Sequence, residues 1–301
     1  MEKIGKLEDI FNGLKSKPVK SMVVANGVDS HSIEAVGEAV RRGWIKGILT
    51  GNRKIIEEQC LLAGFESHIF EIIDCPDEDD AARMAVELAS KGKADILMKG
   101  LISTDRFMKA LLDKTVGLLP KGNLLTHITV MQTPGYDKLL IVSDVAIIPL
   151  PTVEQKAIIV QYLISTAHRI GIEKPLVAFV AATEQVISKM PATTDAVLLK
   201  QRWLNGDFPG SVCDGPMGLD LALDKEAAEI KNFNSPVAGN ADCLLFPNIE
   251  SGNVFYKANT KLFNASIAAM FVGASVPVVL SSRGDSVETK LNSIALAAVV
   301  C

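Results

Sequence analysis

The sequence predicts an α/β protein of mainly parallel sheets with helices on both faces. Three observations predict it. Strand-like and helix-like segments alternate almost from end to end, and repeated βα units with right-handed crossovers give parallel strands. The chain is 48% hydrophobic but only 5% aromatic, so its apolar content is mostly Ala, Val, Ile and Leu, which suits strands covered on both sides. Its 301 residues make one large domain or two moderate ones at roughly 150 residues each.

The elements follow in order. Residues 21–25 read as a strand, and Asp29-Ser30 can cap a helix running to Arg42. Residues 47–50 form the next strand, and Asn52 can cap a helix through Ala63. A third strand spans 68–74; Pro76 and a run of acids suited to a helix N-terminus open a helix that stops near Gly92. A fourth strand, 94–98, leads through Lys99-Gly100 into a helix over 104–113. The rhythm then breaks. Residues 125–133 and 138–142 read as an antiparallel hairpin around a Pro134-Gly135 turn, with a further strand at 145–148. Thr152 opens a long helix with a capping box to Gln155, and Gly171 stops it.

Alternation resumes with a strand at 176–181 and a helix over 193–204. A short strand at 211–213 ends in Asp214-Gly215-Pro216. Residues 219–230 read as helix, 241–246 as strand, 253–270 as one long helix, 276–280 as the last strand and 287–300 as the last helix. No low-complexity linker separates domains; the hairpin and the Pro-rich turn at 149–151 are the best places for a crossing.

Charge and cysteine usage narrow the class. Net charge is 31 − 35 = −4, which argues against a general nucleic-acid or anionic-membrane binder and leaves room for a local positive pocket. No apolar run approaches the ~18–20 residues of a membrane span, and the start has no signal-peptide core. Five scattered cysteines without C-x-x-C spacing read as reduced, buried thiols in a cytosolic protein without a zinc site.

In open α/β sheets ligands sit at the carboxyl ends of strands, where helix N-termini present unpaired N–H groups and partial positive charge. Four junctions there carry small residues, hydroxyls or a cation. Ser281-Ser282-Arg283-Gly284-Asp285-Ser286 offers hydroxyl donors, a glycine for close backbone approach and a guanidinium whose fork matches phosphate; it also reads as an ordinary cap with a surface Arg. Lys99-Gly100 can point a cation into a cleft or leave it solvated. In Asn248–Asn253, Gly252 and Asn253 suit a tight turn and cap, with Lys257 one turn on. Asp214-Gly215, after a strand, is a base, a metal ligand or a turn former. The common nucleotide-phosphate patterns and the nucleophile elbow G-x-S-x-G are absent. The four histidines lie far apart and read as structural, His127 being the most open to another role.

The stretch 214–257, DGPMGLDLALDKEAAEIKNFNSPVAGNADCLLFPNIESGNVFYK, and the C-terminal VPVVLSSRGDSVETKLNSIALAA closely resemble the phosphate acetyl/butyryltransferase family. MKG at 98–100, SDVAIIPLPTVEQK at 143–156 and KMPATTDA at 189–196 match as well, so the resemblance covers nearly the whole chain. KMPATTDA, the Asn248-Ile249-Glu250 form of its junction and KLNSIALAA at 290–298 resemble the butyryl branch, as does a length near 300 without an added regulatory domain. The acetyl branch shares DGP, GN-xx-YK and SRG.

The resemblance implies a two-domain fold like the isocitrate/isopropylmalate dehydrogenases: 1–143 plus 270–301, then 144–269, with the active site in the cleft between them. It implies reversible transfer of a short acyl group, butyryl, between coenzyme A and inorganic phosphate, with phosphate acetyltransfer as the alternative. No cofactor is implied beyond coenzyme A as co-substrate, and no metal. Acyl-CoA, CoA and phosphate would be the partners of a cytoplasmic homodimer or higher homo-oligomer. Ser282 and Arg283 match the family's catalytic pair; Ser281, Gly284, Asp285, Ser286, Lys99, Gly100, Asp214, Gly215, Gly252, Asn253 and Lys257 are the candidate phosphate- and CoA-binding residues. Thr289 stands where the acetyl branch carries a proposed base, an Asp, so the base is unassigned. Two readings from other classes remain: a decarboxylating hydroxy-acid dehydrogenase on the same architecture, and a non-catalytic acyl-CoA sensor.

Overall fold

The computed structural model describes residues 5–280 and 284–301. By compactness the chain divides into two units, a first of Ile10–Leu125 with Ala268–Cys301 and a second of Met1–Asp9 with Thr126–Ile267.

A short helix α1 (Leu7–Asn12) comes first. The first unit then alternates β1 (Lys20–Ala25), α2 (Ser30–Arg41), β2 (Ile45–Gly51), α3 (Arg53–Leu62), β3 (Phe70–Asp74), α4 (Glu78–Ser90), β4 (Ile96–Lys99) and α5 (Thr104–Leu111). Each helix from α2 to α5 starts where the sequence supplies a short polar acceptor for an orphan helical N–H. Asp29 accepts from the Ser32 N–H at 2.9 Å. Asn52 accepts from Lys54 and Ile55, Asp77 from Asp79 and Asp80, and Ser103 from Arg106.

β1 is deeply enclosed: Met22, Val23, Val24 and Ala25 are wholly buried. β2 and β4 pair with it in parallel, and its face is covered by α4, whose buried Ala81, Ala82, Ala85 and Ala89 let the helix lie close to β1 and β2. Thr50 locks this layer. Its hydroxyl lies 3.0 Å from the Val24 carbonyl and 2.8 Å from the Ala81 carbonyl, and it accepts from the Asn26 N–H at 3.3 Å.

The second unit carries β5 (Thr126–Gln132), β6 (Leu140–Ser143), α6 (Val153–Arg169), β7 (Leu176–Val180), α7 (Pro191–Leu204) and β8 (Val212–Met217). It goes on through α8 (Leu219–Leu223), α9 (Lys225–Ile230), β9 (Cys243–Leu245) and α10 (Ile249–Leu262). β10 (Ser266–Val272), β11 (Val278–Val279) and α11 (Val287–Val300) return the chain to the first unit. The strand order in the first unit is β3-β2-β1-β4-β11-β10, parallel except for β10 against β11. In the second it is β5-β6-β9-β7-β8, antiparallel only at the β5–β6 hairpin. The second half of α11 is apolar all round, with Ile294, Ala295, Leu296 and Ala297 wholly buried, and the helix packs on α2. The second unit's core gathers Leu140, Val142, Ala178, Met217, Leu221 and Leu244. Two lysines inside it are neutralised locally: Lys138 pairs with Asp242 at 2.5 Å and Lys156 with Asp195 at 2.6 Å. The α6 capping box forms as predicted, Thr152 and Gln155 each accepting from the other's N–H.

Several boundaries differ from the sequence reading, each for a local reason. Residues 253–270 are not one helix. The chain turns at Asn264 in the left-handed region (φ 52°) and re-enters as β10, whose SIAAMFV run is buried on both faces as in a central strand. Residues 145–148 are not a strand, because Asp144 folds them into a turn, its Oδ1 accepting from the N–H groups of Ala146 and Ile147 at 2.6 and 2.8 Å. Residues 219–230 form two helices, since Asp224 caps the second by accepting from the Glu226 N–H. The chain changes unit at 125/126 and 267/268, with the crossings expected at 143/144 and 269/270. The hairpin goes with the second unit because β6 pairs with β9. Among the described residues no helix is long and apolar enough to cross a membrane, and no disulfide forms.

Replacing Thr50 by Val removes all three of these contacts at a wholly buried site and should cost about 1–3 kcal/mol. Urea unfolding followed by circular dichroism should show a lower midpoint with an unchanged m-value.

Candidate active site

The strand ends of the first unit meet through backbone. Gly100 donates its N–H to the Ala25 carbonyl at 2.9 Å, Leu101 donates to the Asn26 carbonyl at 2.9 Å, and the Asn26 side-chain amide donates to the Leu101 carbonyl at 2.6 Å. Asn26 sits in the left-handed region (φ 54°), which Asn tolerates through local hydrogen bonding. A Cβ on Gly100 would fall on the carbonyl oxygens of Asn26 and Ala25, so only glycine fits where the two strands end together.

Lys99 is the last residue of β4 and is 4% exposed. Its ammonium donates to the Ile102 carbonyl at 2.8 Å and to the Gly100 carbonyl at 3.3 Å, which pins the side chain at the junction instead of in solvent. With Gly100, the α2 start at Asp29, Ser30 and His31, and Lys290 of α11, it lines a cavity of about 190 Å³.

At the head of α11, Ser286 acts as the cap, its hydroxyl accepting from the Thr289 N–H at 3.1 Å and lying 3.1 Å from the Thr289 hydroxyl. The Thr at the family's Asp position is thus engaged with the cap. Gly284 and Asp285 precede it. Ser281, Ser282 and Arg283, the remainder of this candidate junction, lie outside the described residues.

The second unit builds its junction around Asp144, which is 2% exposed. Oδ2 accepts from the Thr126 hydroxyl at 2.6 Å and the His127 N–H at 3.4 Å, while Oδ1 holds the 145–147 turn. α10 lies directly against it, since a Cβ on Gly252 would land on the Asp144 carbonyl oxygen. Asn253 donates its side-chain amide to the Val145 carbonyl at 2.9 Å. Gly252 and Asn253 are therefore inside α10 and not its turn and cap. Asn248 is the cap, accepting from the Ser251 N–H at 2.9 Å, and this starts the helix four residues before the expected position. Lys257 is exposed on α10, its ammonium 5.2 Å from the centre of the Tyr256 ring.

Asp214 does not close its strand either. β8 continues through Gly215 and Pro216 to Met217, and Asp214 Oδ1 is held by Lys200 of α7 at 2.6 Å and by the Gly215 N–H at 2.7 Å.

The sequence reading missed Lys290, which is 4% exposed. Nothing in the sequence set it apart, since Glu288, Thr289, Asn292 and Ser293 make the first half of α11 polar around it. His127 was read as structural. It is buried at the start of β5, with Nδ1 3.3 Å from the Thr129 hydroxyl and its ring edge-on to Tyr256. Burial pushes the imidazole down to about 4 against the opposing pull of Asp144, so it is neutral near pH 7. The thiols are held protonated in the same way. Burial raises Cys60 to about 11 and Cys213 to about 12, and Cys243 well above its usual value.

Because His127 binds a proton less readily in the fold than at its ordinary value of about 6.5, its contribution to stability is whole above pH 6.5. It is lost as pH falls from there towards 4, at up to about 1 kcal/mol per pH unit. Stability measured against urea from pH 7.5 to 4.5 should show that slope, and His127→Asn should flatten it.

Substituting Ala for Gly252 forces a side chain into the Asp144 backbone and should destabilise by about 1–3 kcal/mol. A thermal-unfolding midpoint equal to that of the unaltered chain would remove the close approach as a requirement of the junction.

Comparison with known proteins adds to this geometry. The family model described as Phosphate acetyl/butaryl transferase matches residues 76–298. A phosphate butyryltransferase of Clostridium acetobutylicum is 44% identical over 297 residues, 99% of this chain and 98% of that one. A phosphate acetyltransferase of Thermotoga maritima is 43% identical over 284 residues, 93% of this chain and 95% of that one. Among solved structures, a branched-chain phosphotransacylase from Enterococcus faecalis V583 superposes with a TM-score of 0.83 at 29% identity, covering 93% of this chain and 99% of that one.

Proposed function

The chain belongs to the phosphate acetyl/butaryl transferase family, and from that premise we propose that it transfers a butyryl group reversibly between coenzyme A and inorganic phosphate. The observation that carries this reading is the 44% identity to a phosphate butyryltransferase over nearly the whole of both chains. The 43% identity to a phosphate acetyltransferase makes acetyl-CoA the comparison substrate. Family resemblance supports an architecture like the isocitrate/isopropylmalate dehydrogenases, a homo-oligomer and a cytoplasmic location as parts of the same proposal. The buried, protonated thiols agree with that location.

In the forward reaction a phosphate oxygen attacks the thioester carbonyl carbon. A C–O bond forms, an oxyanion develops, and the C–S bond breaks with its electron pair going to sulfur. The proton that hydrogen phosphate brings leaves on the CoA thiol. Phosphate is already a nucleophile at neutral pH and the thioester is already activated. The chain's work is therefore to bring two anions together and to stabilise the oxyanion. We assign the oxyanion or thiolate contact to Ser282 and the phosphoryl contact to Arg283, on the family match. Ser281, Gly284, Asp285 and Ser286, with Lys99, Gly100, Asp214, Gly215, Gly252, Asn253 and Lys257, are proposed to bind phosphate or CoA. The geometry around Lys99 favours this role most, because a buried cation there borders a cavity at a strand end. It favours Asp214 least, because Lys200 and Gly215 already engage its carboxylate.

The test is CoA release, followed with a thiol reagent, from acetyl-, butyryl-, isobutyryl- and isovaleryl-CoA with and without phosphate. The expected result is phosphate-dependent release with the highest kcat/KM for butyryl-CoA. Release without phosphate would make the chain a thioesterase, and binding without release a sensor. Arg283→Ala should raise the KM for phosphate and lower kcat at least ~10-fold, and Ser282→Ala should lower kcat by roughly 10²-fold. Wild-type kinetics in either variant would overturn that residue's role.

A further inference from the structure

The cavity beside Lys99 contains a second buried cation. Lys290 is the fourth residue of α11, its N–H bonded to the Ser286 carbonyl, and so lies one helical turn beyond the Ser286 cap. Lys99 and Lys290 come from different elements, are each 4% exposed, and line the same cavity of about 190 Å³. Two buried lysines lining one small space make its potential positive, and that favours an anion there over a cation or an apolar group.

Other features of the lining favour the same occupant. The start of α2 contributes Ser30 and His31, at the end of a helix where N–H groups have no intrahelical partner and the dipole attracts negative charge. Among the described residues Asp29 is the one acid of the lining, and its Oδ1 accepts from the Ser32 N–H. The Lys99 ammonium is held in place by the Gly100 and Ile102 carbonyls. The volume is below the ~300–1,000 Å³ of sites that hold drug-sized ligands, so it suits a small tetrahedral anion with water and not a nucleotide.

We propose that Lys290 is a phosphate-binding residue, forming with Lys99 at the N-terminus of α2 a two-cation seat for the inorganic phosphate that attacks the thioester. The same seat takes the phosphoryl group of the acyl phosphate in the reverse direction. This rests on the acyltransferase reading above and divides its binding residues, giving this cavity to phosphate and leaving the phosphates of CoA to other positions.

The test measures inorganic phosphate binding by titration calorimetry without acyl-CoA, alongside the KM values for phosphate, acyl-CoA and CoA. Lys290→Met should raise both the phosphate Kd and the phosphate KM at least ~10-fold, the scale of a lost charge-assisted contact, with the KM values for acyl-CoA and CoA within about twofold. Lys290→Arg should recover most of the phosphate affinity. Should Lys290→Met fail to fold, Ser30→Asp serves instead. It adds a negative charge at an exposed helix start where an acid favours the helix, and should weaken phosphate binding without lowering Tm.

Unchanged phosphate binding in the variants overturns the seat. So does a rise in the KM for CoA with phosphate unmoved, since the cavity would then hold a phosphate of CoA. The two readings fail separately. Lys290-dependent phosphate binding without any phosphate-dependent CoA release keeps the seat and rejects the reaction. Normal turnover with phosphate binding indifferent to Lys290 and Ser30 does the reverse.

Discussion

Where a strand gives way to its helix, this chain brings backbone against backbone, and the candidate junctions depend on that contact. Gly100 lies against the carbonyls of Ala25 and Asn26 in the first unit, and Gly252 against the Asp144 carbonyl in the second. A side chain at either position would separate the elements. The consequences spread outward. In the first unit the joined ends of β1 and β4 hold Lys99 beside the head of α2. In the second, α10 is seated on the Asp144 turn with Asn253 bonded to Val145.

Electrostatics separates these lysines by role. In the second unit each of three lysines has its own aspartate: Lys138 with Asp242, Lys156 with Asp195 and Lys200 with Asp214. The first pair joins two loops, the second joins α6 to α7 and the third joins α7 to β8, and each leaves little field for a ligand. In the first unit Lys99 and Lys290 line one cavity. A net charge of −4 is therefore no guide to anion affinity, which depends on where a few cations are placed and how little water surrounds them.

Much of this organisation was legible in the sequence because it is local. Asp29, Asn52 and Thr152 announce helix starts by side-chain chemistry that acts within three residues, and the Pro134-Gly135 hairpin is equally local. Fold class followed from the alternation of segments, and the family from motifs spread along the whole chain. What was not legible depends on contacts distant in sequence. The apolar run of β10 has no period that separates a buried helix from a buried strand; its burial on both faces does that. Gly252 resembles a turn former, and it is glycine because Asp144, more than 100 residues earlier, presses against it. Asp214 resembles the end of a strand until Lys200 is seen to claim it. Lys290 lies in a polar helix start beside Glu288 and Thr289, and its company with Lys99 is a product of the fold.

The burial of the cysteines has a further consequence. Acyl thioesters and acyl phosphates acylate thiolates, so a chain that handles them is exposed to modification of its own side chains. Cys60, Cys213 and Cys243 are enclosed in the aliphatic interior, where burial raises the first to about 11, the second to about 12 and the third well above its usual value. At neutral pH they present almost no nucleophilic sulfur to an activated acyl group. The aliphatic packing that forms the two cores thus also protects the protein from becoming a substrate of its own chemistry.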